Sequence, residues 1–151
     1  LTAITLRGEA AEVALGEAQA VLAMVQDDER RGRLADLVAA VQEGELGEDD
    51  AQALEELIEL GLTTGRIRGL YGPEGEQAAL KTYRRLPRGR ELSKSAREVT
   101  GALAALEGKV LEQVSVQSAG PGAFVVSLGV EGLELSVKLD HSGARIHSVG
   151  V

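Results

Sequence analysis

The sequence predicts an α+β fold, with an N-terminal half of about five or six helices and a C-terminal four-stranded antiparallel meander packed on the last helix. Three observations carry that expectation. Apolar residues recur at helical spacing, between capping residues and glycines, as far as Leu106. After Gly108 the period changes to two, in four runs joined by two- to five-residue turn signals. At 151 residues, 44% hydrophobic and 26% charged, the chain suits one ordinary domain or two small lobes and is far from a disordered composition.

Leu1, Ile4 and Leu6 alternate, over too short a stretch to assign. Glu9 to about Gln26 is rich in Ala and other good helix formers and carries Val13, Val21, Met24 and Val25. Asp27 and Asp28 form an N-cap pair for a second helix ending near Gln42, where Leu34, Leu37, Val38 and Val41 share one face. Gly44 and Gly47 end it, and so short a connection predicts an antiparallel helical hairpin. Glu48, Asp49 and Asp50 open the third helix, where the helix dipole favours acids. Ala53, Leu54, Leu57, Ile58 and Leu60 form its apolar face, and Gly61 is expected to stop it.

Thr63 is expected to cap a short helix from Thr64 to about Tyr71, with Ile67 and Leu70 on one side. Gly72-Pro73 breaks the chain, and Pro73 starts another helix through about Arg85. Pro87 and Gly89 punctuate again before a helix from about Arg90 to Leu106. Leu92, Ala96, Val99, Leu103 and Leu106 make its seam, suited to packing within the molecule.

In the β region, Val114 and Val116 mark a first strand, although Glu112 blurs its register. Phe124, Val126, Leu128 and Val130 line a second, Leu133, Leu135, Val137 and Leu139 a third, and Ile146, Val149 and Val151 a fourth. Ser127, Glu134, Ser136, Lys138, Arg145 and His147 fall on the opposite, wet face. A sheet with one dry face needs a helix on it. The expected organisation is an acidic helical region with a basic end (1–89) and a helix plus sheet (90–151), together one compact unit.

Charge is distributed unevenly. Leu1 to Gly65 carries fifteen acids against four arginines, whereas Arg66 to Arg97 holds nine of the sixteen Lys and Arg residues. An acidic protein (net charge −8) with one basic belt points to binding, and its overall charge argues against nonspecific attraction to nucleic acid or anionic lipid. No apolar run approaches the ~18–20 residues of a membrane span, and no signal peptide is visible. The expectation is a cytoplasmic protein without membrane contact. With no Cys, thiolate metal sites and Cys nucleophiles are excluded. Two Tyr, one Phe and no Trp leave few side chains for base stacking or for lining a deep pocket.

Two stretches could carry function. Gln52 to Tyr71 resembles a degenerate helix-turn-helix, with Thr64 and Arg66 toward base edges and Arg68 on base or phosphate. Against it, Leu57 stands where a small residue is wanted, Glu56 stands where an apolar one is wanted, and the first helix is strongly acidic. The run from Lys81 to Arg90, with Arg84, Arg85 and Arg88 between them, offers Arg forks to carboxylates or phosphates. The plainer alternative is pairing of these cations with the acidic half of the same protein. Asp140, His141 and His147 bracket the last turn, but their offset suits no shared ion, and no metal is expected. No phosphate loop, nucleophile elbow or His-Glu-x-x-His motif occurs, so neither catalysis nor a cofactor is expected.

The functional expectation is a non-enzymatic binding or adaptor protein. Its basic belt (66–97) would meet an acidic partner surface or a second subunit. The alternative is a DNA-binding protein using the 52–71 element. Candidate contacts are Thr64, Arg66, Arg68, Lys81, Arg84, Arg85, Arg88 and Arg90.

Overall fold

The computed structural model describes residues 3–151, so the part of Leu1 in the opening alternation lies outside the described residues. The fold is α+β, with five helices followed by a four-stranded antiparallel meander. The chain forms two compact units, the first extending through Arg90 and the second comprising Glu91–Val151.

In the first unit, β1 (Ile4–Thr5) pairs antiparallel with β2 (Glu45–Leu46), matching Ile4 to Leu46. Two-residue strands carry no periodic signal, and sequence patterning did not predict this pairing. Between them run α1 (Gly8–Met24) and α2 (Asp28–Glu43). Asp27 caps α2 as expected, its carboxylate accepting from the Arg30 N–H at 2.9 Å. The predicted face of α2 is buried at Leu34, Leu37 and Val41.

The next helices differ from expectation. Gly61 does not stop α3 (Glu48–Thr63); it is buried inside it. A Cβ there would lie 2.6 Å from Cδ1 and Cγ1 of Ile67, so the glycine lets α4 (Arg66–Tyr83) close onto α3. Thr63 is not an N-cap, because its hydroxyl donates back to the Glu59 carbonyl at 2.7 Å. Ile67 is fully buried, whereas Leu70 and Leu60, both assigned to apolar faces, are more than half exposed. The break at Gly72 is present: its φ of 72° and ψ of −176° interrupt α4 just before Pro73. Pro87 and Gly89 do not precede the last helix but form the first turn of α5 (Pro87–Leu103), and Gly89 is buried. Sixteen buried apolar residues make one core here, among them Leu6, Val13, Leu37, Leu46, Leu54, Ile58, Ile67 and Leu86.

In the second unit α5 passes into a 3-10 turn (Ala104–Leu106). The sheet follows in chain order: β3 (Gln113–Gly120), β4 (Ala123–Val130), β5 (Leu133–Asp140) and β6 (Gly143–Gly150). The register stacks the expected apolar residues in rows: Val114, Leu128, Leu135 and Val149, then Val116, Val126, Val137 and Ile146. Ser115, Ser127, Ser136 and Ser148 form a row on the other face. Ser136, expected on the wet face, is buried in an inner strand, its Oγ 3.0 Å from that of Ser127.

The helix covers less of the sheet than expected. Val99, Ala102 and Leu103 pack on Leu135, Val137, Ala144 and Ile146. Val114, Val116, Phe124, Leu139 and Val149 remain exposed, as does Ala96 of the predicted seam.

Candidate functional site

The nine cations of the belt separate into two groups. Three are neutralised within the first unit. Arg66 opens α4, and its Nε lies 3.3 Å from Oε1 of Glu17, a carboxylate of α1 only 3% exposed. Tyr71 adjoins the same carboxylate, and burial, with Glu17 second, raises its phenol pKa above the ordinary value. A buried carboxylate is costly unless it is paired and hydrogen-bonded, so Arg66 is a structural counter-charge joining α4 to α1. Arg68 meets Glu76 at 3.2 Å. Arg88 meets Glu59 at 3.5 Å, and its backbone N–H donates to Glu55 at 2.8 Å. The Tyr83 hydroxyl donates to the other oxygen of Glu59 at 3.4 Å, and burial, with Glu59 second, raises that phenol as well.

These contacts occupy the residues proposed to read DNA. Thr64 ends α3 rather than sitting on the second helix, and its hydroxyl donates to the Leu60 carbonyl at 2.7 Å. Arg66 and Arg68 each hold a carboxylate of the same unit.

The other belt cations, Lys81, Arg84, Arg85, Arg90, Lys94 and Arg97, form no ion pair among the described residues. Four of them belong to the first unit, where the fold adds a cation the belt had omitted. Arg7 immediately precedes α1 and stands with Lys81 and Arg85 around an open groove of about 540 Å³. Thr5, Ala10 and Ala78 contribute to its walls, and Glu9 is its one acid. Arg85 is oriented by its Nη1, which donates to the Thr5 carbonyl at 2.9 Å. The guanidinium has five N–H donors, so this bond leaves others for a ligand.

Arg85 also borders an adjoining cavity of about 190 Å³ between the short sheet and the start of α5. Ile4, Leu46, Ala51 and Pro87 make it largely apolar, with Arg90 and Glu48 also present. The signal for Arg7 was weak: a lone arginine in an acidic half gains meaning only when β1 brings it to the end of α4. A separate cleft between α2 and α3 collects Asp36, Asp49, Asp50 and Glu56 around Arg33. Opposite charges are thus segregated on the helical unit.

The last turn is internally satisfied. Asp140 accepts from Arg145 Nη2 at 2.6 Å and Nη1 at 3.3 Å, and from the Ser142 backbone at 2.9 Å. The bond to Arg145, followed by the one to the Ser142 hydroxyl, holds its carboxyl well below the usual carboxylate range. No group of three or more metal-ligating side chains occurs among the described residues, and no described helix is long and apolar enough to cross a membrane. The chain matches no protein family, no curated protein and no solved structure to a significant degree.

Proposed function

We propose that the protein is a non-enzymatic binding module whose helical unit takes an acidic segment of a partner protein. The observation that supports it is the set of unpaired cations, Arg7, Lys81 and Arg85, around a groove that adjoins an apolar cavity. Arg forks bind carboxylates in pairs, and Lys adds a movable point charge. Ile4 and Leu46 would receive one apolar side chain beside the acids. Individual exposed ion pairs contribute only about 0–1 kcal/mol, so the cavity must add to them, and affinity in the micromolar range is expected.

A peptide suits this site better than nucleic acid for two reasons. No aromatic side chain lines the groove to stack bases, and the net charge of −8 opposes a polyphosphate.

The test is fluorescence anisotropy with a labelled acidic peptide bearing one leucine, beside duplex DNA and single-stranded RNA, at about 50 and 200 mM salt. The peptide should bind, weaken with salt, and lose at least tenfold in affinity in Arg7→Glu/Lys81→Glu. Arg68→Glu should change little. Peptide binding that survives the groove variant would defeat the proposal. Preferential DNA binding abolished by Arg68→Glu would establish the helix-turn-helix reading instead. Arg66 is a poor probe for either idea, because reversing it would set two carboxylates together at a buried site.

A further inference from the structure

The two outer strands of the sheet are built differently. β6 carries Arg145 and His147, and its register slips against β5: Ser136 faces Ser148 while Val137 faces Ile146, leaving His147 as an extra residue. Charge and bulges are the devices that keep an edge from pairing with another chain. β3 has neither over most of its length. Gln113 to Ser118 is uncharged, free of proline and in unbroken register with β4, the one irregularity coming at Ala119. Among the described residues its outer side has no strand partner. Val114 and Val116 are 57% and 63% exposed.

The sequence of this edge is also palindromic. Gln113-Val114-Ser115-Val116-Gln117 reads the same in both directions. An antiparallel pair of identical strands centred on Ser115 therefore sets Val114 against Val116, Gln113 against Gln117 and Ser115 against itself. Apolar, amide and hydroxyl side chains all meet their own kind, on the faces they already occupy. Centring on Val116 instead would set Val114 against Ser118.

Charge selects the antiparallel direction too. Glu112, just before the edge, would face its own copy in a parallel pair. In the antiparallel register it faces Ser118, and the two Glu112 residues stand about 20 Å apart. A molecule of net charge −8 can thus approach its copy along a strip that carries no charge.

We infer that β3 is a self-association edge, where two copies pair antiparallel about Ser115 to join their sheets into one of eight strands. The rows described above continue across the two-fold axis, so the serine row doubles and each valine gains a cross-strand valine. An edge of this length buries little area, so the dimer is expected to be weak and concentration-dependent. The association does not involve the cationic groove and does not depend on the function proposed for it.

The chain has no cysteine, which makes a single introduced thiol a clean reporter. In this register the two Ser115 Cα atoms lie about 4.5–5.5 Å apart, within the ~4.4–6.8 Å of a disulfide. The two Gln117 Cα atoms would be about 14 Å apart and out of reach. Sedimentation of the full chain over a concentration series should show a monomer–dimer equilibrium. Val114→Lys/Val116→Lys should abolish it, while Val149→Lys, on the opposite edge, should leave it in place. Mild oxidation should cross-link Ser115→Cys and spare Gln117→Cys. Circular dichroism of each variant separates loss of pairing from loss of fold. A wild-type chain monomeric at every concentration, an equal effect of Val149→Lys, or equal cross-linking at 117 would overturn the inference.

Discussion

The two units reach stability by different routes. The helical unit surrounds sixteen buried apolar residues, whereas the core cluster of the sheet unit has three, Val99, Leu135 and Val137. In the first, close packing between helices dominates, and Gly61 against Ile67 shows how tight that packing is. In the second, three ladders of backbone hydrogen bonds and rows of cross-strand pairs supply the order, with one helix over part of one face. A core that is cheap to disturb leaves a unit dependent on its hydrogen-bonded frame, and apolar side chains on that frame stay available at the surface.

Truncation in each core tests this contrast most directly. Leu37 is fully buried, and Leu37→Ala should cost about 2–5 kcal/mol through lost burial and the cavity left behind. Val137→Ala should cost roughly 1–3 kcal/mol, since its surroundings can collapse toward solvent. Urea unfolding of both variants gives the comparison. A larger loss at Val137 would break it.

The next effect in size concerns helix contact. Gly61→Ala should destabilise by about 1–3 kcal/mol, because the new methyl meets Ile67. Ile67→Val added to it should recover part of that loss, a coupling measurable in a double-mutant cycle. Strict additivity would show that the glycine serves some purpose other than the approach of α4.

This position also shows where the sequence could be read and where it could not. The helical period, the cap at Asp27, the break at Gly72 and the four-stranded meander are legible, since each depends on residues a few positions apart. A glycine in isolation is a breaker, so local sequence points to a stop at Gly61; its use depends on Ile67 across the helix corner. Leu60 and Leu70 matched a helical face that the fold leaves in solvent. The belt could be counted but not divided. Whether Arg66 is free depends on Glu17, 49 positions away, and the groove depends on Arg7, which no local pattern ties to Lys81.

The smallest expected effects come from pH, and they fall at opposite ends of the scale. Tyr71 and Tyr83 have phenols raised by burial, so the stability they confer is full below the ordinary value near 10 and is lost as pH rises through the folded values. Ultraviolet difference absorbance should show phenolate appearing above the pH of free tyrosine. Asp140 is depressed, so its contribution to the β5–β6 turn is full above about 4 and is lost as pH falls toward its folded value. Carboxyl titration by NMR, repeated in Arg145→Ala, should move Asp140 back toward the ordinary range. These groups thus make the helical unit lose stability toward alkali and the sheet unit toward acid.

The bond from Arg85 to the Thr5 carbonyl has a consequence for how the chain is born. Each helical hairpin can form on a microsecond scale once its own residues exist. The first strand cannot finish so early: Leu6 donates to Gly44, and Thr5 is held by a side chain eighty positions downstream. At about 5–20 residues per second, translation takes roughly 4–16 s to deliver that arginine after the strand itself. During that interval Ile4 and Leu6, buried in the finished molecule, have no complete shelter. A ribosome stalled before residue 85 would therefore hold β1 already paired with β2 but without the Arg85 bond that fastens Thr5.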